Sequence, residues 1–249
     1  ARMTQSELFA VMTGGCATIA GAVMMGYAQM GVELKYLITA SFMAAPGRLI
    51  ISKIMTPETT KSDVEFDPTH TGDGDQPVNV FEAIGNGAMT GMQVAFSVGA
   101  MLVAFVALIA LINGVLSGVG SWFGMEGLTL QWLLGKLFLP IALLLGVPVA
   151  EAAEAGSLIG QKLVINEFYA YASFVGIKET LSPYTQLVVT FALCGFSNLA
   201  SIAILLGGLG AVVPSRRHDI ARFGLRAVIA GTLVNLLNAS LAGFFFTLQ

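Results

Sequence analysis

Long stretches without a single ionised side chain set the first constraint on this chain. Leu8 to Val32 carries no charge, and neither does Thr180 to Ser215. A bilayer core is crossed by about 20 mostly apolar residues in helical form, so each stretch is long enough to span one. The composition agrees, with 55% hydrophobic residues, 11% charged residues and a mean hydropathy of +0.79. Globular domains carry about 25% charged residues, and a soluble fold of this length could not bury so much apolar surface. Lipid is therefore the expected solvent, and the expected class is an all-α polytopic membrane protein.

The remaining composition narrows the function. The net charge of -3 comes without a basic patch, which argues against a nucleic-acid partner. Cys16 and Cys194 both sit in apolar stretches, as buried thiols rather than a disulfide framework. His70 and His218 lie in polar connections, which speaks against a histidine-built zinc site. The chain opens Ala1-Arg2-Met3 with no basic region and cleavage site, and is expected to be a fragment or an open start.

Along the chain, residues 1–54 hold two spans, Leu8–Val32 and Tyr36–Ile54, the second ending on Arg48 and Lys53, which can snorkel to the interface. Residues 55–78 form a polar loop in which Pro57–Pro77 has six acids against one lysine. Residues 79–127 carry a long helix, Asn79–Phe123, with an amphipathic start. Residues 128–146 read as an interfacial helix with Lys136 and Pro140.

Residues 147–176 differ. Gly146–Tyr171 mixes Glu151, Glu154, Lys162 and Glu167 into apolar sequence. Each charge at the midplane costs about 2.5–3.5 kcal/mol on insertion scales. A re-entrant hairpin whose polar tip meets protein or water removes that objection. Residues 177–249 supply Thr180–Ser215 and a last span, Ala227–Gln249. Arg216, Arg217, Arg222 and Arg226 fall in the connection between them, on the same side as Arg48, Lys53 and Lys61. That side is cytoplasmic by the positive-inside rule.

The strongest internal signal is a repeat. Met12–Val23 (MTGGCATIAGAV) slides onto Ala192–Ala203 (ALCGFSNLASIA), pairing Gly15 with Gly195, Thr18 with Asn198, Ala20 with Ala200 and Gly21 with Ser201. Each copy places an oxygen-bearing side chain among small residues in mid-membrane, and each is followed by a full span. The two copies run in opposite directions across the bilayer. Interrupted helices in inverted repeats are the usual build of secondary transporters, because unwound backbone can replace the hydration shell of an ion or polar solute. Any one such stretch is more often a close-packing seam; two equivalent copies plus an acidic hairpin tip the reading toward transport.

Gly160-Gln161-Lys162, three residues, then Asn166-Glu167-Phe168 resembles the G-x-K-x-x-x-N-E-F signature of concentrative nucleoside transporters. ALCGFSNLASI and VPSRRHDIARFGLRAVIAGT are similar to further signatures of that family, and TQSELFAVMTGGCATIAG resembles its helix after the first hairpin. The resemblance implies a sodium-coupled nucleoside symporter of the cell inner membrane, a homotrimer joined through the helix from Asn79 onward. It also implies that three N-terminal helices and a first hairpin, which reads the nucleobase, precede this chain. Glu167 would accept from ribose hydroxyls. Asn198 and Ser201, one helical turn apart, would contact the sugar, with Phe196 and Val23 packing on the ligand. Thr18 and Ile19 would form part of a sodium site; no organic cofactor is implied. Lys162 would orient the hairpin tip or bridge an acid, and Glu151 and Glu154 are polar arm residues. The alternative is a proton-coupled permease with Glu167 as carrier. No HExxH or GxSxG motif supports an enzyme.

Overall fold

A computed structural model describes residues 3–61, 79–125 and 127–248. Ten α-helices and two short 3-10 turns, with no strand, make up the described residues. The helices are α1 (Gln5–Ala17), α2 (Gly21–Gln29), α3 (Leu34–Met55), α4 (Val80–Trp122), α5 (Leu130–Leu144), α6 (Ala152–Val164), α7 (Glu167–Ile177), α8 (Pro183–Leu193), α9 (Ala200–Val212) and α10 (Arg217–Phe246). They divide into two compact units, residues 1–63 with 131–249, and residues 64–130.

In the first unit, local signals set the helix ends. Thr4 begins α1 with a capping box: its hydroxyl accepts from the Glu7 N–H, and the Glu7 carboxylate accepts from the Thr4 N–H. Ser182 caps α8 with Pro183 in its first turn, where a missing N–H costs nothing. Asn166 caps α7 by accepting from the Tyr169 N–H at 2.8 Å. The turn between α5 and α6 runs through Gly146 at φ 82°, where a Cβ would lie 2.5 Å from the Tyr184 hydroxyl.

Packing then follows the small residues. α1 lies against α3 and α10, and α10 also packs on α8 and α9. A Cβ on Gly231 of α10 would sit 2.7 Å from the Cys16 Cβ of α1, so only glycine permits that approach. One core cluster gathers around Tyr27, Tyr171, Phe174 and Leu187; another gathers Phe9, Met12 and Cys16 with Phe223. Outward positions are apolar too, as at Phe42 and Leu144, which are 78% and 85% exposed. Among the described residues, three helical stretches, 5–29, 34–55 and 214–246, are long and apolar enough to cross a membrane.

The second unit is the 43-residue α4 with the turn after it. At 1.5 Å per residue it runs about 65 Å, twice a hydrocarbon core. Asn79 caps it by accepting from the Glu82 N–H. Most of the acidic loop at 55–78 lies outside the described residues.

One expectation needs correction. The arginine cluster is not a connection: Arg217, Arg222 and Arg226 sit in the first turns of α10, and Arg216 in the 3-10 turn before it. Arginine is a good helix former, and Asp219 in the first turn holds Arg216 Nε at 2.6 Å, so the helix starts ten residues before the apolar run. Asn198 and Ser201 do share a turn: α9 starts at Ala200, and the Ser201 N–H reaches back to the Asn198 carbonyl at 3.2 Å.

Candidate functional site

Both repeats are broken where the paired motifs placed the small residues. α1 gives way to α2 across Thr18–Ala20, and α8 to α9 across Cys194–Leu199. A break strands N–H and C=O groups that a continuous helix would pair, and their new partners define the site. The Phe196 N–H donates to the Thr18 carbonyl at 3.4 Å, joining one break to the other. The Leu199 N–H donates to the Leu163 carbonyl at 3.1 Å, joining the second break to α6.

α6 and α7 form a helical hairpin whose turn is Ile165 and Asn166. Because Asn166 caps α7, Glu167 is that helix's first residue, where the helix dipole favours a negative charge. Glu167 is 5% exposed. Its Oε1 accepts from the Tyr27 hydroxyl at 3.2 Å and its Oε2 from Asn198 Nδ2 at 2.8 Å. Asn198 also stitches the second break: its Oδ1 accepts from the Ser201 N–H at 2.9 Å, in the first turn of α9. The Ser201 hydroxyl lies between that Oδ1 and the Phe196 carbonyl, to which it donates.

Of the seven residues singled out by sequence, Glu167, Asn198, Ser201, Phe196 and Thr18 thus form one hydrogen-bonded chain. Thr18 also turns its hydroxyl back onto the Gly14 carbonyl at 2.9 Å, leaving the oxygen's lone pairs to accept from or coordinate another group. Ile19 is buried in the larger core cluster, and half-buried Val23 packs against that cluster. No group of three His, Cys, Asp or Glu gathers among the described residues. A cation at Thr18 and Ile19 would meet hydroxyl and carbonyl oxygens, donors suited to a hard ion.

Among the described residues Lys162 forms no ion pair with an acid. Its ammonium donates to Asn235 Oδ1 at 2.6 Å and to the Ala192 carbonyl at 2.8 Å. Asn235 and Tyr27 are the residues that sequence reasoning passed over. Each had a signal: Asn235 stands alone as an amide in GTLVNLL, and Tyr27 is the sole phenol in the charge-free first span. Polar groups inside a membrane are costly and therefore informative. The Tyr27 ring is held 4.5 Å from Tyr171 and 5.9 Å from Phe168, which aims its hydroxyl at the hairpin tip. Glu151 caps from outside, accepting from the Ser182 N–H and hydroxyl, so it is a structural acid of the hairpin base.

Comparisons with known proteins point the same way. The family described as "Na+ dependent nucleoside transporter C-terminus" matches residues 36–243. An uncharacterized transporter of Haemophilus influenzae is 56% identical over 99% of this chain and 60% of its own length. The nucleoside permease NupC of Helicobacter pylori is 47% identical, over 99% of this chain and 59% of its own. Sodium/nucleoside cotransporter 1 of Sus scrofa is 37% identical, over 99% and 40%. The solved structure of CNTnw in an inward-facing substrate-bound state is 55% identical and superposes with a TM-score of 0.94, over all of this chain and 59% of that one. This chain therefore spans about three fifths of the length of its bacterial relatives.

Proposed function

Because this chain belongs to the Na+-dependent nucleoside transporter family, we propose that the protein carries nucleosides across the cell inner membrane in symport with a cation, and that the cation is sodium. The observation that carries the proposal is the buried carboxylate of Glu167, joined to both repeats through Tyr27 and Asn198. A carboxylate has about four acceptor positions, and the side chains of Tyr27 and Asn198 take two of them. Positions left open would suit the hydroxyls of a ribose, which would donate charge-assisted bonds. Asn198 and Ser201 would complete the sugar contacts, and Phe196 and Val23 would pack on the solute.

Sodium is favoured by the likeness to a mammalian sodium/nucleoside cotransporter, 37% identical to this chain, and by the oxygen donors at the first break. Thr18 would offer its hydroxyl and Ile19 its carbonyl. The first unit, with both breaks and the hairpin, would act as the moving body, its hairpin re-entrant from the far side. The long α4 would belong to the scaffold of a homotrimer. Alternating access then exposes the site to each side in turn.

The test is uptake of radiolabelled uridine by full-length protein in proteoliposomes, with and without a sodium gradient, beside Glu167→Gln. Sodium-dependent uptake lost in the variant is the expected result. Uptake indifferent to sodium but abolished by a protonophore would instead assign a proton-coupled permease. Uptake absent under either gradient would remove nucleosides as the substrate.

A further inference from the structure

Symport requires that the ion and the solute each alter the other's affinity, and that demands a physical link between their sites. We propose that Asn235 is a positioning residue that couples the two; the inference rests on the nucleoside-symport reading above. Asn235 sits on α10, which belongs to neither break nor to the hairpin, and is fully buried. Its Nδ2 donates to the Ala17 carbonyl at 2.9 Å and to the Cys194 carbonyl at 2.7 Å. Its Oδ1 accepts from Lys162 Nζ at 2.6 Å and from the Ser197 hydroxyl at 3.0 Å.

A carboxamide has two N–H donors and two acceptor lone pairs, and here all four are spent on different elements. Ala17 immediately precedes Thr18, at the ion half. Cys194 opens the second break, and Ser197 adjoins Asn198, at the sugar half. Lys162 stands on the hairpin, five residues before Glu167. No other described side chain bonds the end of α1, the second break and the hairpin at once. The seat is also tight: a Cβ on Gly195 would lie 2.5 Å from Oδ1, 2.7 Å from Nδ2 and 2.8 Å from the Ala17 carbonyl. The amide cannot turn to keep some bonds when one partner shifts. A cation drawing on the backbone at Thr18 and Ile19 therefore acts through Ala17 on Asn235, and through it on Cys194, Ser197 and the hairpin lysine. An asparagine that merely filled the core would affect stability and both affinities, without altering their dependence on each other.

The experiment measures uridine affinity by calorimetry on full-length protein in nanodiscs, at zero and at saturating sodium, and takes the ratio. Asn235→Asp keeps the acceptors for Lys162 and Ser197 but loses the two N–H donors. Its ratio is expected to fall about fivefold or more toward one, with sodium-free uridine affinity within about threefold of the parent. Ser197→Ala removes one bond alone and is expected to lower the ratio about twofold, with an unchanged thermal midpoint, which keeps the idea testable if the aspartate variant fails to fold. A parental ratio in either folded variant, whatever happens to the separate affinities, overturns the proposal. A parent protein whose uridine affinity ignores sodium overturns the sodium reading instead, and the two failures are told apart by that arm.

Discussion

The two helix breaks descend from one pattern and are built differently. The first is three residues long, with extended backbone at Thr18 (φ -114°, ψ 166°) and Ala20 (φ -72°, ψ 145°), and its hydroxyl is folded back on its own helix. The second is six residues long and carries side chains that reach other elements, Ser197 to α10 and Asn198 to the hairpin, while Ser201 of α9 donates back to the Phe196 carbonyl. Both resume as helices within one residue of matched places, at Gly21, which pairs with Ser201, and at Ala200. What the repeat preserved is the discontinuity, and what diverged is the source of polar groups. Under the proposed reading this division is functional. A monatomic cation asks only for oxygens, which backbone supplies, whereas a sugar asks for donors and acceptors in a fixed arrangement, which takes side chains.

The sharpest way to break the comparison is to cut the matched pair Thr18 and Asn198 separately. Asn198→Ala removes a charge-assisted bond to Glu167 and a bond to the first turn of α9. Such bonds are worth about 1.5–3 kcal/mol, so uridine affinity should fall about 10- to 150-fold at saturating sodium. Thr18→Ala should instead raise the sodium needed for half-maximal uptake about fivefold, with uridine KM at saturating sodium nearly unchanged. Uptake kinetics at varied sodium separate the two outcomes, and equal effects on sodium and uridine from both variants would dissolve the division.

A second matched pair, Gly15 and Gly195, tests packing rather than chemistry. A Cβ at Gly15 meets only the Leu205 Cδ2, at 3.5 Å, an ordinary contact. In a helix interior alanine is then better by about 1 kcal/mol or less, and the thermal midpoint should hold or rise. At Gly195 the same Cβ would strike the Asn235 amide and a backbone carbonyl. Overpacking of that kind costs about 1–3 kcal/mol, so Gly195→Ala should lower the midpoint. Thermal unfolding in detergent decides it.

Tyr27 qualifies the division, because it lies on the second half of the first broken helix yet donates to Glu167, the acid that the proposed reading gives to the sugar. Tyr27→Phe keeps the ring packing and removes one donor from Glu167. At 3.2 Å this is a long bond, and its loss should weaken uridine binding about fivefold, near 1 kcal/mol, leaving the sodium requirement in place. A shift in sodium dependence would show that the first repeat is not confined to the ion.

How much of this was legible beforehand follows from what sequence encodes locally. The breaks at Thr18 and Asn198 were readable because small residues and a lone oxygen in mid-membrane are local features, and the hairpin because charges cannot sit in lipid. Asn166 and Glu167 were readable as a motif, with the cap explaining why the two residues adjoin. The hub at Asn235 was not, since its partners lie 218, 73, 41 and 38 positions away in the chain. The start of α10 was misplaced because hydropathy marks where lipid begins, whereas Arg217 to Arg226 extend a helix into water.

The smallest effect concerns how each broken helix is pinned at its start. α1 begins at Thr4, whose hydroxyl donates to Glu58 at 2.8 Å, and α8 begins at Ser182, whose hydroxyl donates to Glu151 at 2.8 Å. Both acids lie outside the spans and are held below the usual carboxylate range, Glu58 chiefly by Thr4 and Glu151 chiefly by Thr185 and then Ser182. A carboxylate whose folded pKa is depressed stabilises the fold above its unfolded value, about 4.3 for glutamate, and that contribution fades as pH falls through the folded value. Glu151→Gln should therefore lower the thermal midpoint slightly at neutral pH and make it less sensitive to acid below about pH 4.3. Glu58→Gln should do less, because its solvent-exposed bonds are screened. If the two variants shift the acid limb equally, the starts of the two repeats are as alike as their breaks are different.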